Sequence, residues 1–167
     1  MGDRAVVVFT DARATIISPT VYLHWHGSPR SVYALLDELD RRHVRTDGHS
    51  YEVARFVQLA ANLLDIQYDP PFDHPRDSLS IGVDPPPPDL APLTLKRLDP
   101  GDNGVYIVHR STTDSRSVRR FVNSEFLSPA SQAAEEAEAH AKGKEYTYEI
   151  SRIIAHTTGE PPVFHRR

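Results

Sequence analysis

The apolar positions of this chain change their spacing repeatedly, and each change predicts an element. Ala5-Val6-Val7-Val8-Phe9 is a short unbroken run rich in β-branched residues, which predicts a buried strand over residues 4–10. Asp11-Ala12-Arg13 predicts a turn. Residues 14–17 and 21–26 then form the returning strand of a hairpin, with Pro19 at a bulge or a break between two pieces. In Val21-Tyr22-Leu23-His24-Trp25-His26-Gly27 the alternation places Val21, Leu23 and Trp25, the chain's only tryptophan, on one face and Tyr22, His24 and His26 on the other. Gly27 and Ser28-Pro29 stop the strand, because proline cannot donate to a ladder.

From Pro29 the spacing becomes helical. Ser28 is the expected N-cap and Pro29 the first helical residue. Val32, Leu35, Leu36 and Leu39 form one apolar stripe, and Arg41, Arg42 and His43 bring positive charge to the negative end of the helix dipole. A second helix opens near residues 47–50 and runs to about Ile66. Its inward face is Val53, Phe56, Val57, Ala60 and Leu64, and Arg55, Gln58 and Asn62 lie opposite.

Residues 68–76 are loop chemistry, and residues 79–83 predict a short strand. It ends at Asp84 and four consecutive prolines, 85–88, a rod that serves as a rigid surface loop or docks onto an aromatic partner. The turn signal Asp99-Pro100-Gly101-Asp102-Asn103-Gly104 leads into a strand over residues 105–108 that His109 closes, with residues 118–122 as its hairpin partner. Ser128-Pro129 repeats the cap-plus-proline start and opens an alanine- and glutamate-rich helix that stops at Gly143. Its weak stripe predicts a peripheral position. Tyr146, Ile150, Ile153 and Ile154 predict a final helix, while Tyr146, Tyr148 and Ile150 suit a strand equally well. Residues 157–167 have little to bury and read as a flexible tail. The expected architecture is a single α+β domain over residues 1–156. A mostly antiparallel sheet packs against two amphipathic helices, with a peripheral C-terminal helical region.

Composition narrows the function. At 167 residues and 39% hydrophobic content the chain fits one domain, and no apolar run approaches the roughly 18 residues of a membrane span. Met1-Gly2-Asp3-Arg4 leads straight into a strand without the features of a secretory signal, so a cytoplasmic location is expected. The absence of cysteine removes disulfides, thiolate nucleophiles and cysteine-based zinc sites. A net charge of -4 argues against nucleic acid as the partner, although Arg116, Arg119 and Arg120 form a local basic group.

Three groups of residues carry candidate chemistry. His24 and His26, two apart on a strand, can chelate a divalent metal, with Asp73, His74 or His43 as a third ligand. No spacing demands that third ligand, and strand-end histidines bonded to backbone or water are the commoner case. His109-Arg110-Ser111 and His156-Thr157-Thr158 repeat His-x-Ser/Thr, the short motif of 2H phosphoesterases, in which two histidines act as acid and base. With nine histidines, chance matches are expected. Arg55, Gln58 and Asn62 are either a solvated helix side or a polar wall facing a pocket. Asp102 and Asn103 suit a turn, Asn103-Gly104 being fitted to positive φ. No phosphate-binding glycine loop or serine nucleophile elbow is present.

Met1-Gly2-x-Arg4-Ala5, Tyr22-Leu23-His24-Trp25-x-Gly27, Ala54-Arg55-x-x-Gln58 with Asn62, Leu79-Ser80-Ile81-Gly82-Val83 and Asp102-Asn103-Gly104-Val105-Tyr106 together resemble a family of uncharacterised proteins from phages, prophages and plasmids. The resemblance covers residues 1 to about 122. It brings no biochemical activity; it implies the bacterial cytoplasm and an accessory gene of a mobile element, in a family where the position of His26 is often a neutral polar residue. It also implies a shared polar site of Arg4, His24, Trp25, Arg55, Gln58, Asn62, Asp102 and Asn103. The expected function is non-catalytic binding of a host or phage protein or of a small anionic ligand, with counter-defence against host immunity as one such role. The competing expectation is a hydrolase, metal-dependent through His24 and His26 or phosphoesterase-like through His109 and His156. No cofactor is expected beyond that divalent metal.

Overall fold

The computed structural model describes residues 3–42, 49–67, 81–111 and 116–142, with side chains in the second helix as far as Ala61. Six strands form one sheet in the order β3-β2-β1-β4-β5-β6. The apolar run is β1 (Ala5–Asp11), which pairs antiparallel with β2 (Ile17–Leu23) and parallel with β4 (Val105–Arg110). β3 (Ile81–Asp84) joins β2, and β5 (Arg116–Val122) and β6 (Glu125–Phe126) extend the other side, all antiparallel. The sheet is therefore mostly antiparallel, with one parallel pair at its centre.

β1 is apolar from Ala5 to Phe9, where both its faces are covered. Val7 and Phe9 lie with Val21, Leu23, Tyr106 and Val108 beneath α1 (Pro29–Arg41) and α2 (His49–Gln67). The stripe Val32, Leu35, Leu36 and Leu39 of α1 is fully buried there, and Phe9 meets Phe56 of α2 edge-on with centroids 5.6 Å apart. Each such side chain withdrawn from water contributes roughly 1.5–3 kcal/mol. On the opposite face Val6, Val8, Val105, Ile107 and Phe121 pack with Leu95 of α3 (Pro92–Leu98). This helix was not expected: seven residues are too few to show a period. Asp89 starts it, accepting from the Ala91 N–H at 3.0 Å and the Thr94 hydroxyl at 2.5 Å. The two-residue β6 was likewise missed. The helix α4, residues 129–142, lies at the periphery, with Ala139 reaching the first core.

The expected bulge in β2 is present, as the β1–β2 register shifts between Val8 and Thr10. The Phe9 N–H donates instead to the Ser18 hydroxyl at 2.9 Å. Three details differ from expectation. Residues 14–16 belong to the turn rather than the strand, because the Asp11 carboxylate gathers the N–H groups of Thr15 and Ile16 at 2.6 and 2.8 Å. Ser28 precedes α1 without capping it through its side chain; its hydroxyl lies 3.1 Å from that of Ser31. Ser128 does cap α4, accepting from the Ser131 N–H at 3.1 Å. β2 ends at Leu23, so Trp25 does not continue the alternation. The chain bends over residues 24–26, with His26 at φ 61°, and brings Gly27 against the start of β1. There the Gly27 N–H donates to the Asp3 carbonyl at 2.7 Å, and a Cβ on residue 27 would stand 2.5 Å from that oxygen. The expected final helix, the stop at Gly143 and the tail lie outside the described residues. Among the described residues no helix is long and apolar enough to cross a membrane.

Candidate functional site

Where β1 and β4 begin, β2 ends and α1 starts, polar side chains from four chain segments meet, and Asp3 is their hub. Its Oδ1 accepts from the Asn103 side-chain amide at 2.5 Å, and its Oδ2 from the Ser28 N–H at 3.1 Å. Its own N–H donates to the His24 carbonyl at 3.2 Å. Arg4 clasps Asp102 in a fork, Nε to Oδ2 at 2.8 Å and Nη2 to Oδ1 at 3.2 Å, and its backbone N–H adds a third bond at 3.2 Å. The Arg4 guanidinium, followed by that N–H, holds the Asp102 carboxyl below the usual carboxylate range. Asn103 closes the loop by donating its N–H to the Arg4 carbonyl at 2.9 Å. Gly104 follows at φ 70°, where a Cβ would overlap the Phe121 carbonyl.

Tyr22 carries this cluster to the aromatic residues. Asp102 raises the pKa of Arg4 against the opposing effect of burial, Tyr22 adds a smaller rise, and the Tyr22 hydroxyl lies 3.2 Å from His24 Nδ1. The His24 ring meets Trp25 edge-on with centroids 5.1 Å apart. Asp102, Arg4, Tyr22, His24 and Trp25 thus form a continuous half-buried ridge. Alternation had placed Tyr22 and His24 on one face; the bend adds Trp25 to them.

A buried layer supports the ridge. The Tyr106 hydroxyl donates to the Gly27 carbonyl at 2.9 Å, and Arg120 lies over the Tyr106 ring at 4.4 Å while donating to the Asn103 carbonyl and to Glu135 of α4. Gln132 of α4 accepts from the Arg120 N–H at 3.0 Å and donates to the Tyr33 hydroxyl at 2.5 Å. Burial raises the Glu135 carboxyl despite Arg120, and raises the Tyr33 phenol. Asp3, Tyr106, Gln132 and Glu135 were not among the expected site residues, and Arg120 was expected only as part of a local basic group. One signal was available: Arg120 shares its strand face with Val118, which alternation turns inward.

The structure does not bring Arg55 and Gln58 to this ridge. Both are exposed on α2 and bond each other at 2.7 Å, as a solvated helix side does. The reason is rotational: Val53, Phe56, Leu59 and Ala60 take the inward side of the helix. The side chain of Asn62 lies outside the described residues. The histidine pair also loses its premise, since His24 and His26 follow the end of the strand rather than sharing one face of it. Among the described residues no three histidine, aspartate or glutamate side chains are placed to hold a metal ion. Asp73, His74 and His43 lie outside the described residues, as does His156. His109 sits in β4 between Thr10 and Ser117, half-buried, with Nε2 enclosed and without a hydrogen-bond partner. Burial lowers its pKa.

At the far end of the sheet a second set of charges closes on itself. Arg110 bonds Glu52 at 2.5 Å and Asp40 at 2.6 Å; Arg116 bonds Asp37 at 2.8 Å and Asp40 at 2.7 Å. His140 and His49 add contacts to Asp37 and Glu52 at 3.0 and 3.3 Å. Comparisons of the chain with protein-family models, with curated proteins and with solved structures found no match.

Proposed function

We propose that this chain is a non-catalytic accessory protein of a mobile genetic element, active in the bacterial cytoplasm, that recognises a host or phage protein or a small anionic ligand through the ridge Arg4–Tyr22–His24–Trp25. The observation that carries the reading is the mutual engagement of the acids at this end. Asp3 is held by Asn103 and Ser28 and Asp102 by Arg4, so neither carboxylate is poised as a general base. What stays accessible is recognition chemistry: part of the Arg4 guanidinium, an imidazole with one nitrogen engaged, and an indole. Their fixed placement lowers the ordering cost of binding. The mobile-element setting, and counter-defence as one role within it, draw support from the resemblance of the Tyr22–Gly27 and Asp102–Tyr106 segments to phage and plasmid proteins.

Trp25 is the only tryptophan, so its fluorescence reports on this ridge alone. Titration with phosphate, dicarboxylates, mononucleotides and cyclic nucleotides is expected to give a saturable change with at least one anion, reduced in Arg4→Ala and His24→Ala, without turnover of that anion. Cleavage of any compound in the panel would overturn the non-catalytic reading in favour of a hydrolase. A response undiminished in both variants would overturn the choice of site.

A further inference from the structure

Among the described residues four large apolar side chains are exposed, and two of them, Val83 at 54% and Leu93 at 65%, bracket the consecutive prolines 85–88. Pro85, Pro86 and Pro88 are exposed as well, and Pro87 alone is half-buried. Proline fixes φ and removes the N–H, so the run is an extended rod with acceptors and no donors. Among the described residues no backbone hydrogen bond ends on its carbonyls.

The rod is pinned at both ends. Asp84 closes β3 opposite Thr20, and Asp89 starts α3, whose Leu95 is fully buried in the second core. Pinning explains how the chain passes from an edge strand to the other face of the sheet. It does not explain why three pyrrolidine rings face solvent in a stretch where Val83, two residues before the run, and Leu93, five residues after it, are exposed as well. A connector needs stiffness alone, and exposed apolar surface adds nothing to that task.

We propose that residues 83–93 form a docking ridge for a folded protein partner that presents an aromatic-lined groove. Tryptophan or tyrosine rings of the partner stack on Pro85, Pro86 and Pro88, their N–H or O–H groups donate to the free proline carbonyls, and Leu93 extends the apolar contact. The preformed rod loses little conformational freedom on docking. Asp84 is exposed at one end, whereas Asp89 is engaged by the start of α3, and Lys96 and Arg97 are exposed on the helix beyond. The partner's groove is accordingly basic beside Asp84 and acidic toward α3.

The probes are isotope-labelled SH3, WW and EVH1 domains, whose aromatic grooves take such rods, titrated with the full chain and followed by NMR. Groove resonances of at least one domain are expected to shift saturably. The affinity should fall about tenfold or more in the double variant Pro86→Ala/Pro88→Ala, and should be unaltered in His24→Ala, which separates this ridge from the sheet-end site. Leu93→Ala, an exposed position outside the rod, gives the same reading should the double variant fail to fold. Absence of groove shifts with all three domains would overturn the proposal, as would unaltered affinity in the proline variant or, should that variant not fold, in Leu93→Ala.

Discussion

Where β4 ends and β5 begins, Arg110 and Glu52 meet with 5% and 0% of their side chains exposed; where β1 and β4 begin, Arg4 and Asp102 pair at 39% and 22%. Both pairs join residues far apart in sequence, yet burial gives them different work. The first locks α2 to the sheet and, through Asp40 and Asp37, α1 to β4 and β5. Each charge there depends on its partner because water cannot replace it. The second keeps water on one side, so its charges are screened, contribute little to stability and stay available to a ligand. Ion pairing alone therefore does not mark a site; what sets the proposed one apart is half-exposure beside the rings of Tyr22, His24 and Trp25.

The largest effect expected from this contrast is in Glu52→Ala, which strands Arg110 in the core. A loss of about 3–5 kcal/mol is expected from denaturant unfolding, toward the lower figure because Asp40 remains. Asp102→Ala should move the unfolding midpoint far less, and a reversed order would break the comparison. Next comes Gly104→Ala, which puts a methyl group against the Phe121 carbonyl at positive φ and should cost about 1–3 kcal/mol. Smaller again is a pH effect. His26 and His109 are both held below the ordinary imidazole value of 6.5, by burial, so the unfolded chain takes up protons that the folded chain refuses. Their contribution is complete above pH 6.5 and is lost as pH falls through their folded values. Unfolding midpoints measured through that interval should decline, and His109→Asn should flatten the decline. An equal slope in the variant would assign the effect elsewhere.

Periodicity made much of this fold legible. Val32, Leu35, Leu36 and Leu39 announce α1, and the apolar run of β1 announces a strand covered on both faces. What periodicity lacks is any measure of what a face looks at. Arg55 and Gln58 do share a side of α2, but that side turns to solvent. Arg4 and Asp102, 98 positions apart, are brought together only by the parallel register of β1 and β4. Asp3 gave no pattern to read, since its role comes from a bend that the alternation through Trp25 concealed. α3 was hidden by brevity, and its start depends on Asp89, which sits outside the helix.

In the proposed function, recognition belongs to the sheet end at Arg4, His24 and Trp25 and not to the outer side of α2. Ligand-induced thermal shift, which rises by mass action when the folded state binds, tests it with the same panel of anions. The rise in Tm is expected to vanish in the double variant Arg4→Ala/His24→Ala and to persist in Arg55→Ala. Loss of the rise in Arg55→Ala with full retention in the double variant would contradict the account.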